Sequence, residues 1–310
     1  MKLYIDQDNV ISLMKSKALP NFSDCADFVR KHLDVHYNFP KENLKSDSLL
    51  MAWFSSFGQG VTGAHTFASN ETDIFPQRPV KSNFYNTGNL DLLTSVYLLN
   101  DEHTCDVISA KSCIMIGKIG EEIKLIHSLL LENTETRAIT IASWKNYLPS
   151  LPLTDIIICD NHYFKDEFVY KKNDNEIIRS LAGIPQKSPV NVVIIVKEGE
   201  VDNRIDLSSE QKKIKELVKK ASNSSKSTVT ILTTNKTHDR NLITNYYRVK
   251  HGSCFHLKDN GLKDDVMTEI KTHGKKNNEE NSKSLVSVFQ KIASSPVQCF
   301  GDKKSNFLNF

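Results

Sequence analysis

The sequence has no C-x-x-C pair, no internal repeat and no marked excess of charge of either sign. It also has no apolar run approaching the ~20 residues that span a bilayer. Each absence removes a class of protein. The six cysteines, at 25, 105, 113, 159, 254 and 299, are scattered without metal-ligand spacing, which argues against a cysteine zinc site and against a disulfide framework. Cys159 closes the apolar run Asp155-Ile156-Ile157-Ile158-Cys159 and reads as a core residue. The apolar start Lys2-Leu3-Tyr4-Ile5 is interrupted by Asp6 and Asp8, so no signal peptide is expected, and a cytoplasmic setting follows. With 40 basic against 37 acidic residues, the net charge of +3 is too mild to argue by itself for nucleic acid or a membrane surface.

What is present suits a soluble globular protein. Hydrophobic residues make up 39% and charged residues 25% of the 310, enough chain for one large domain or two ordinary ones. The first half reads as mostly helical with a few strands. Strands are expected at 2–5 and 35–39, with helical patterns from Val10 to Met14, after Ser23, over 47–57, from Asn89 to 101, and from Glu121 to Leu131. Residues 58–89 read as a long loop. Pro149 and Pro152 mark a boundary, giving a helical domain over 1–149 and a second domain over 150–310.

The second half alternates. Strands are expected at 155–160, 190–196 and 228–233. Helices fall between them, at 175–181 and at 210–221, the latter capped by Ser208 or Ser209. Two further strands follow, at 242–244 and 246–249. This order predicts an α/β fold with a mostly parallel sheet between helices. Residues 271–284 are polar and lack apolar anchors, which predicts a flexible loop before a short helix at 285–293.

The chemistry concentrates in His238-Asp239-Arg240, followed by Asn245 and by Gly252-Ser253. In a strand, His238 and Arg240 share a face and Asp239 points the other way. A guanidinium binds phosphate bidentately and stays charged, while an imidazole titrates near neutrality and serves as nucleophile or acid-base group. Gly252 permits close backbone approach and Ser253 offers a hydroxyl. The spacing H-x-R-x4-N-x6-G-S resembles the H-x-K-x4-D-x6-G-S signature of the phospholipase D superfamily, and the preceding α/β pattern fits that family's α/β/α domain. The resemblance implies His238 as nucleophile or acid, Arg240 as phosphate clamp, Asn245 in place of the orienting Asp, and Gly252 and Ser253 in the phosphate pocket. Arg for Lys keeps the charge, Asn for Asp loses a carboxylate, and Phe255 stands where the family has an Asn. These departures are similar to those of divergent domains at the C-terminal end of microtubule-interacting-and-trafficking domain proteins. One motif per chain implies a homodimer with two motifs face to face.

Other residues compete. Asp160 and His162 follow the strand at 155–160, where α/β proteins bind ligands, although a turn with a locally bonded Asp also explains them. His251 offers a second imidazole within one chain, or simple exposure at a hairpin. Asp6-Gln7-Asp8-Asn9 resembles the opening of PIN-like and NYN metal-dependent nucleases, with helix capping as the plainer account. The expectation is a phosphodiesterase that needs no cofactor and no metal. It acts on nucleic acid rather than lipid, since no amphipathic membrane anchor is evident. The alternatives are a binding or regulatory module with a degenerate phosphate site, and a metal-dependent nuclease using Asp6.

Overall fold

Ile156–Ile158, Val192–Val196 and Ile231–Leu232 are apolar on both faces, and only a sheet covered on both sides buries such runs. In a computed structural model the chain does so. The structure describes residues 2–5, 7–16, 34–37, 43, 47–57, 96–98, 114–115, 134–138, 143–146, 148, 153–165, 175–182, 189–236, 239–255, 266–273 and 276–310.

The N-terminal half contributes β1 (Lys2–Ile5), α1 (Gln7–Ser16), β2 (Asp34–Tyr37), α2 (Ser48–Phe57), β3 (Val96–Leu98) and β4 (Ile114–Met115). The four strands form a parallel sheet in the order β2-β1-β3-β4. The helix expected over 89–101 is thus replaced, at 96–98, by a strand. Val-Tyr-Leu suits a pleated surface, and β1 offers it a partner that local spacing does not reveal. The helical patterns after Ser23 and from Glu121 lie outside the described residues, as does the 58–89 loop.

An eight-stranded sheet follows, in the order β12-β8-β7-β6-β9-β10-β11-β5. Its strands are β5 (Thr134–Ala138), β6 (Asp155–Cys159), β7 (Asn191–Lys197), β8 (Thr228–Thr234), β9 (Asn241–Thr244), β10 (Tyr247–His251), β11 (Val266–Thr272) and β12 (Gln298–Gly301). The helices are α3 (Glu176–Ala182), α4 (Leu207–Ala221) and α5 (Lys276–Ala293). Ile156, Ile158, Val192, Ile194, Val229 and Ile231 face one core with Ile177, Ile178, Ile214 and Val218 of α3 and α4. Ile157, Cys159, Val193, Ile195 and Leu232 face the other, with Val286, Phe289 and Ile292 of α5. The result is an α/β fold with helices on both faces. β5 enters this sheet beside β11, so the sheet draws on chain preceding the expected boundary at 149.

The sheet is mixed rather than mostly parallel. Only β6·β7 and β7·β8 are parallel; the other junctions run antiparallel. The cause lies in connection length. Six residues separate β8 from β9, too few for the crossover of about a dozen that parallel strands require. The chain therefore returns reversed, and β9 pairs antiparallel with β6.

Two further expectations change. The cap of α4 is Asp206, whose carboxylate accepts from the Ser208 backbone N–H at 3.1 Å, in place of Ser208 or Ser209. Of the polar run 271–284, residues 271–272 lie in β11 and 276–284 in α5 rather than in a loop. The amphipathic end of α5 around Val286, Phe289 and Ile292 anchors the helix, and its polar start extends from that anchor at low cost.

The C-terminal segment closes the far edge. Gly301 has φ +103, and a Cβ there would meet the Val229 carbonyl at 2.3 Å, so the position requires glycine. Asp155 is wholly buried and accepts from the Ser305 hydroxyl at 2.8 Å, from the Asn306 backbone at 2.7 Å and from the Asn306 side chain. Burial outweighs these bonds and raises its pKa to about 6.

A folded-state pKa above the unfolded value means stability that is present at low pH and lost as pH rises through the folded pKa. The Asp155 contribution therefore falls by about 2 kcal/mol from pH 4 to pH 6. Denaturant titrations of Asp155→Asn across that window are expected to lose this decline relative to wild type. An unchanged slope would show that burial does not govern this carboxylate.

Candidate functional site

Parallel β6 and β7 present their C-terminal ends at one edge of the sheet. Antiparallel β9 begins there, and β10, reversed again, ends there. Asp160, Arg240 and His251 are thereby brought together from segments 80 residues apart. This is the edge at which α/β sheets bind ligands.

Asp160 organises the edge. Its side chain is fully buried, one residue beyond β6. Oδ1 accepts from the His162 N–H at 2.9 Å and Oδ2 from the Phe255 N–H at 2.8 Å. The first bond is the Asx turn expected at Asp160-Asn161-His162; the second fixes the strand end beyond β10. Arg240 Nε lies 3.7 Å from Oδ1, and Arg240 Nη1 donates to the Gly252 carbonyl at 3.3 Å. The Nε–H is buried beside Asp160 without a hydrogen-bond acceptor, and the Gly252 bond uses one of the four Nη protons, so the guanidinium is held while part of its donor fork stays open.

A cavity of about 450 Å³ opens in front of it. Arg240, His162, His251 and Gly252 line it, with Asn161, Asp239 and Lys250. Asp239 and Arg240 precede β9 and have no strand conformation, so the expected alternation does not apply and both border the cavity. Asp239 pairs with Lys250 at 3.5 Å. The formal charges thus match in couples, Arg240 with Asp160 and Lys250 with Asp239.

His251 is buried, 2% exposed, and does not lie out in solvent at a hairpin. Along β10 it follows Tyr247 and Val249 on the inward face. Trp144 meets it edge-on with ring centroids 5.2 Å apart, and Phe255 lies 5.6 Å away. Trp144 is itself fixed by Nε1 donating to the Phe255 carbonyl at 2.9 Å. His251 Nδ1 shares a hydrogen bond with Thr268 Oγ1 at 2.8 Å, while Nε2 is buried without a partner. Burial, and secondarily the Arg240 charge, lowers its pKa to about 4 despite Asp160 nearby. The imidazole is neutral at pH 7.

The motif letters divide. His238 lies outside the described residues, as does Asp6. Arg240 and Gly252 are in the site, and Ser253 follows directly. Asn245 is not there. It sits at the opposite end of β9, buried, where Oδ1 accepts from the Thr154 N–H at 3.0 Å and holds the start of β6. Four strand residues, roughly 13 Å, separate that end from Arg240. Sequence reading missed Trp144 and the part played by Asp239, neither of which had a local signal.

Among the described residues, no helix is long and apolar enough to cross a membrane, and no group of three His, Cys, Asp or Glu side chains is arranged to hold a metal ion. Fold and site define an α/β protein with a polar, charge-paired pocket at the strand ends. No protein-family model matches the chain, and no curated protein is similar to it. Among solved structures, it is similar to TrmBL2, an archaeal chromatin protein described as showing a novel mode of DNA binding. That similarity has a TM-score of 0.29 at 14% identity, covering 57% of this chain and 59% of the other.

Because the folded pKa of His251 is depressed, its contribution to stability is present above the unfolded value and lost as pH falls toward 4. The loss is about 3 kcal/mol between pH 7 and pH 4. His251→Gln is expected to retain relatively more of its neutral-pH stability at pH 4, as read by denaturant titration. Equal acid sensitivity in both proteins would contradict a buried neutral imidazole.

Proposed function

We propose that this chain recognises a phosphodiester, with the phosphoryl oxygens seated between Arg240 and the imidazoles of His162 and His251. One observation carries the reading: a restrained guanidinium with open donors shares a cavity with a buried histidine whose Nε2 has no partner. An unsatisfied buried polar atom costs about 1–3 kcal/mol, and a ligand atom that satisfies it recovers that cost. Ligand oxygens suit the guanidinium fork in the same way.

The pairing of charges favours a diester over a monoester. Arg240 and Lys250 face the carboxylates of Asp160 and Asp239, so there is no large positive field to hold a dianion. A diester carries one negative charge and two ester arms, and it is held by directed hydrogen bonds. The polar wall of Asn161, Asp239 and Lys250 suits the sugars and bases of a nucleic-acid strand better than acyl chains. This agrees with the spacing-based resemblance to phospholipase D-like domains of nuclease type.

A second reading is cleavage of that diester. It is favoured by the presence of two imidazoles, His162 and His251, beside Arg240 in one chain. A neutral His251 is in the form that a base or nucleophile requires. In this arrangement, a twofold partner is not needed to supply the second imidazole.

Arg240→Met is expected to weaken binding of thymidylyl-thymidine at least about tenfold, the loss of a charge-assisted hydrogen bond, while the protein stays folded. Calorimetric titration reads this directly. Binding unchanged by Arg240→Met would refute the pocket assignment. Hydrolysis of the same dinucleotide in the presence of a chelator separates cleavage from binding alone.

A further inference from the structure

The acidic residue Glu200 is not part of the spacing pattern, yet it sits against a cavity imidazole. It ends a short helical turn, Glu198–Glu200, that follows β7 at the same sheet edge. Glu200 Oε2 lies 3.3 Å from His162 Nδ1 and 2.8 Å from Lys165 Nζ. The Lys165 contact holds its carboxyl below the usual carboxylate range.

The backbones on both sides are fixed. His162 is tied through its N–H to Asp160, and its carbonyl accepts from the Lys165 N–H at 3.1 Å. The loop carrying Glu200 is tied to the same turn, because the Asp202 N–H donates to the Phe164 carbonyl at 2.9 Å. What remains free is the His162 side-chain rotation, and Glu200 restrains it. Nδ1 is buried 3.3 Å from the carboxylate, without a hydrogen bond to it, and the ring's residue lines the cavity.

A neighbouring carboxylate also selects a protonation state. It favours either the imidazolium or the tautomer with the proton on Nδ1. In the second state Nε2 is an acceptor and cannot hydrogen-bond a phosphate oxygen. In the first it donates and adds a positive charge. Contact between His162 and a phosphodiester therefore requires the imidazolium.

We infer that Glu200 is a positioning residue that directs His162 Nε2 into the cavity, where the ring contacts a bound phosphodiester as the imidazolium, so that affinity rises as pH falls. The inference rests on the reading of the pocket given above.

Other charges act on His162. Lys165 lies on its own turn, and Lys197 acts on Glu200 from the end of β7. Across the cavity are Arg240 with Asp160 behind it, the Lys250–Asp239 pair and His251. The cavity cations oppose the imidazolium, whereas a bound phosphate screens them from it, so protonation and ligand binding reinforce each other.

The test is calorimetric titration of the full chain with thymidylyl-thymidine, whose phosphate stays singly charged, from about pH 8 to about pH 5.5. Wild type, Glu200→Gln, His162→Gln, the double variant and Arg240→Met are compared. Wild-type affinity is expected to rise on acidification. Glu200→Gln is expected to bind as wild type near pH 8 and up to about fivefold more weakly near pH 6, the range of a half-exposed ion pair. The double variant is expected to match His162→Gln, because removing the ring removes the effect of Glu200. An additive double variant, or an unaltered pH profile in Glu200→Gln, overturns the inference while the pocket reading stands. Indifference to Arg240→Met overturns the pocket reading itself. Thermal midpoints of all variants report folding separately.

Discussion

The buried carboxylate of Asp160 is the constraint on which the site depends. It accepts from two backbone N–H groups that belong to separate segments, the turn after β6 and the chain after β10. It also supplies the negative charge that keeps Arg240 at the sheet edge. A fully buried carboxylate without such partners would be very costly. With them, it locks turn, strand end and guanidinium into one geometry. The aromatic group of Trp144, Phe255 and His251 rests on the same lock, because the Phe255 backbone is bonded at both ends, N–H to Asp160 and C=O from Trp144.

From that lock the chemistry of the pocket follows. The guanidinium is oriented but not fully used, and the His251 ring is dry and neutral. A site of this kind binds through direction more than through field. It also carries an internal opposition. Asp155, at the start of β6, and His251, at the end of β10, respond to acid in opposite senses, because burial favours the neutral form of each and their neutral forms lie on opposite sides of a protonation. Between about pH 4 and pH 6 the two contributions largely cancel.

Part of this was readable in the sequence. The β-branched run of β7 announced a sheet buried on both faces, and the rule that ligands bind at strand ends drew attention to Asp160 and His162. Arg240 lies beside Gly252 because a hairpin of two short strands returns to its origin. The spacing of the motif did not show that Asn245 lies at the hairpin's turn and so at the other edge, although the six-residue return from β8 to β9 already implied reversal. Alternation along β10 would have buried His251. Glu200, Trp144 and β5 were not legible, because they join the site through contacts between residues distant in the chain. The strand at 96–98 was hidden for the same reason: it is defined by its neighbour β1.

The most direct measurement is a heteronuclear NMR titration of the intact protein with thymidylyl-thymidine, following arginine Nε–H, histidine ring and backbone amide signals. The account predicts that the largest shifts fall on Arg240 Nε–H, on the rings of His162 and His251 and on the Gly252 amide, with α5 and β12 unaffected. Saturable binding that moves another surface while Arg240 stays still would contradict it.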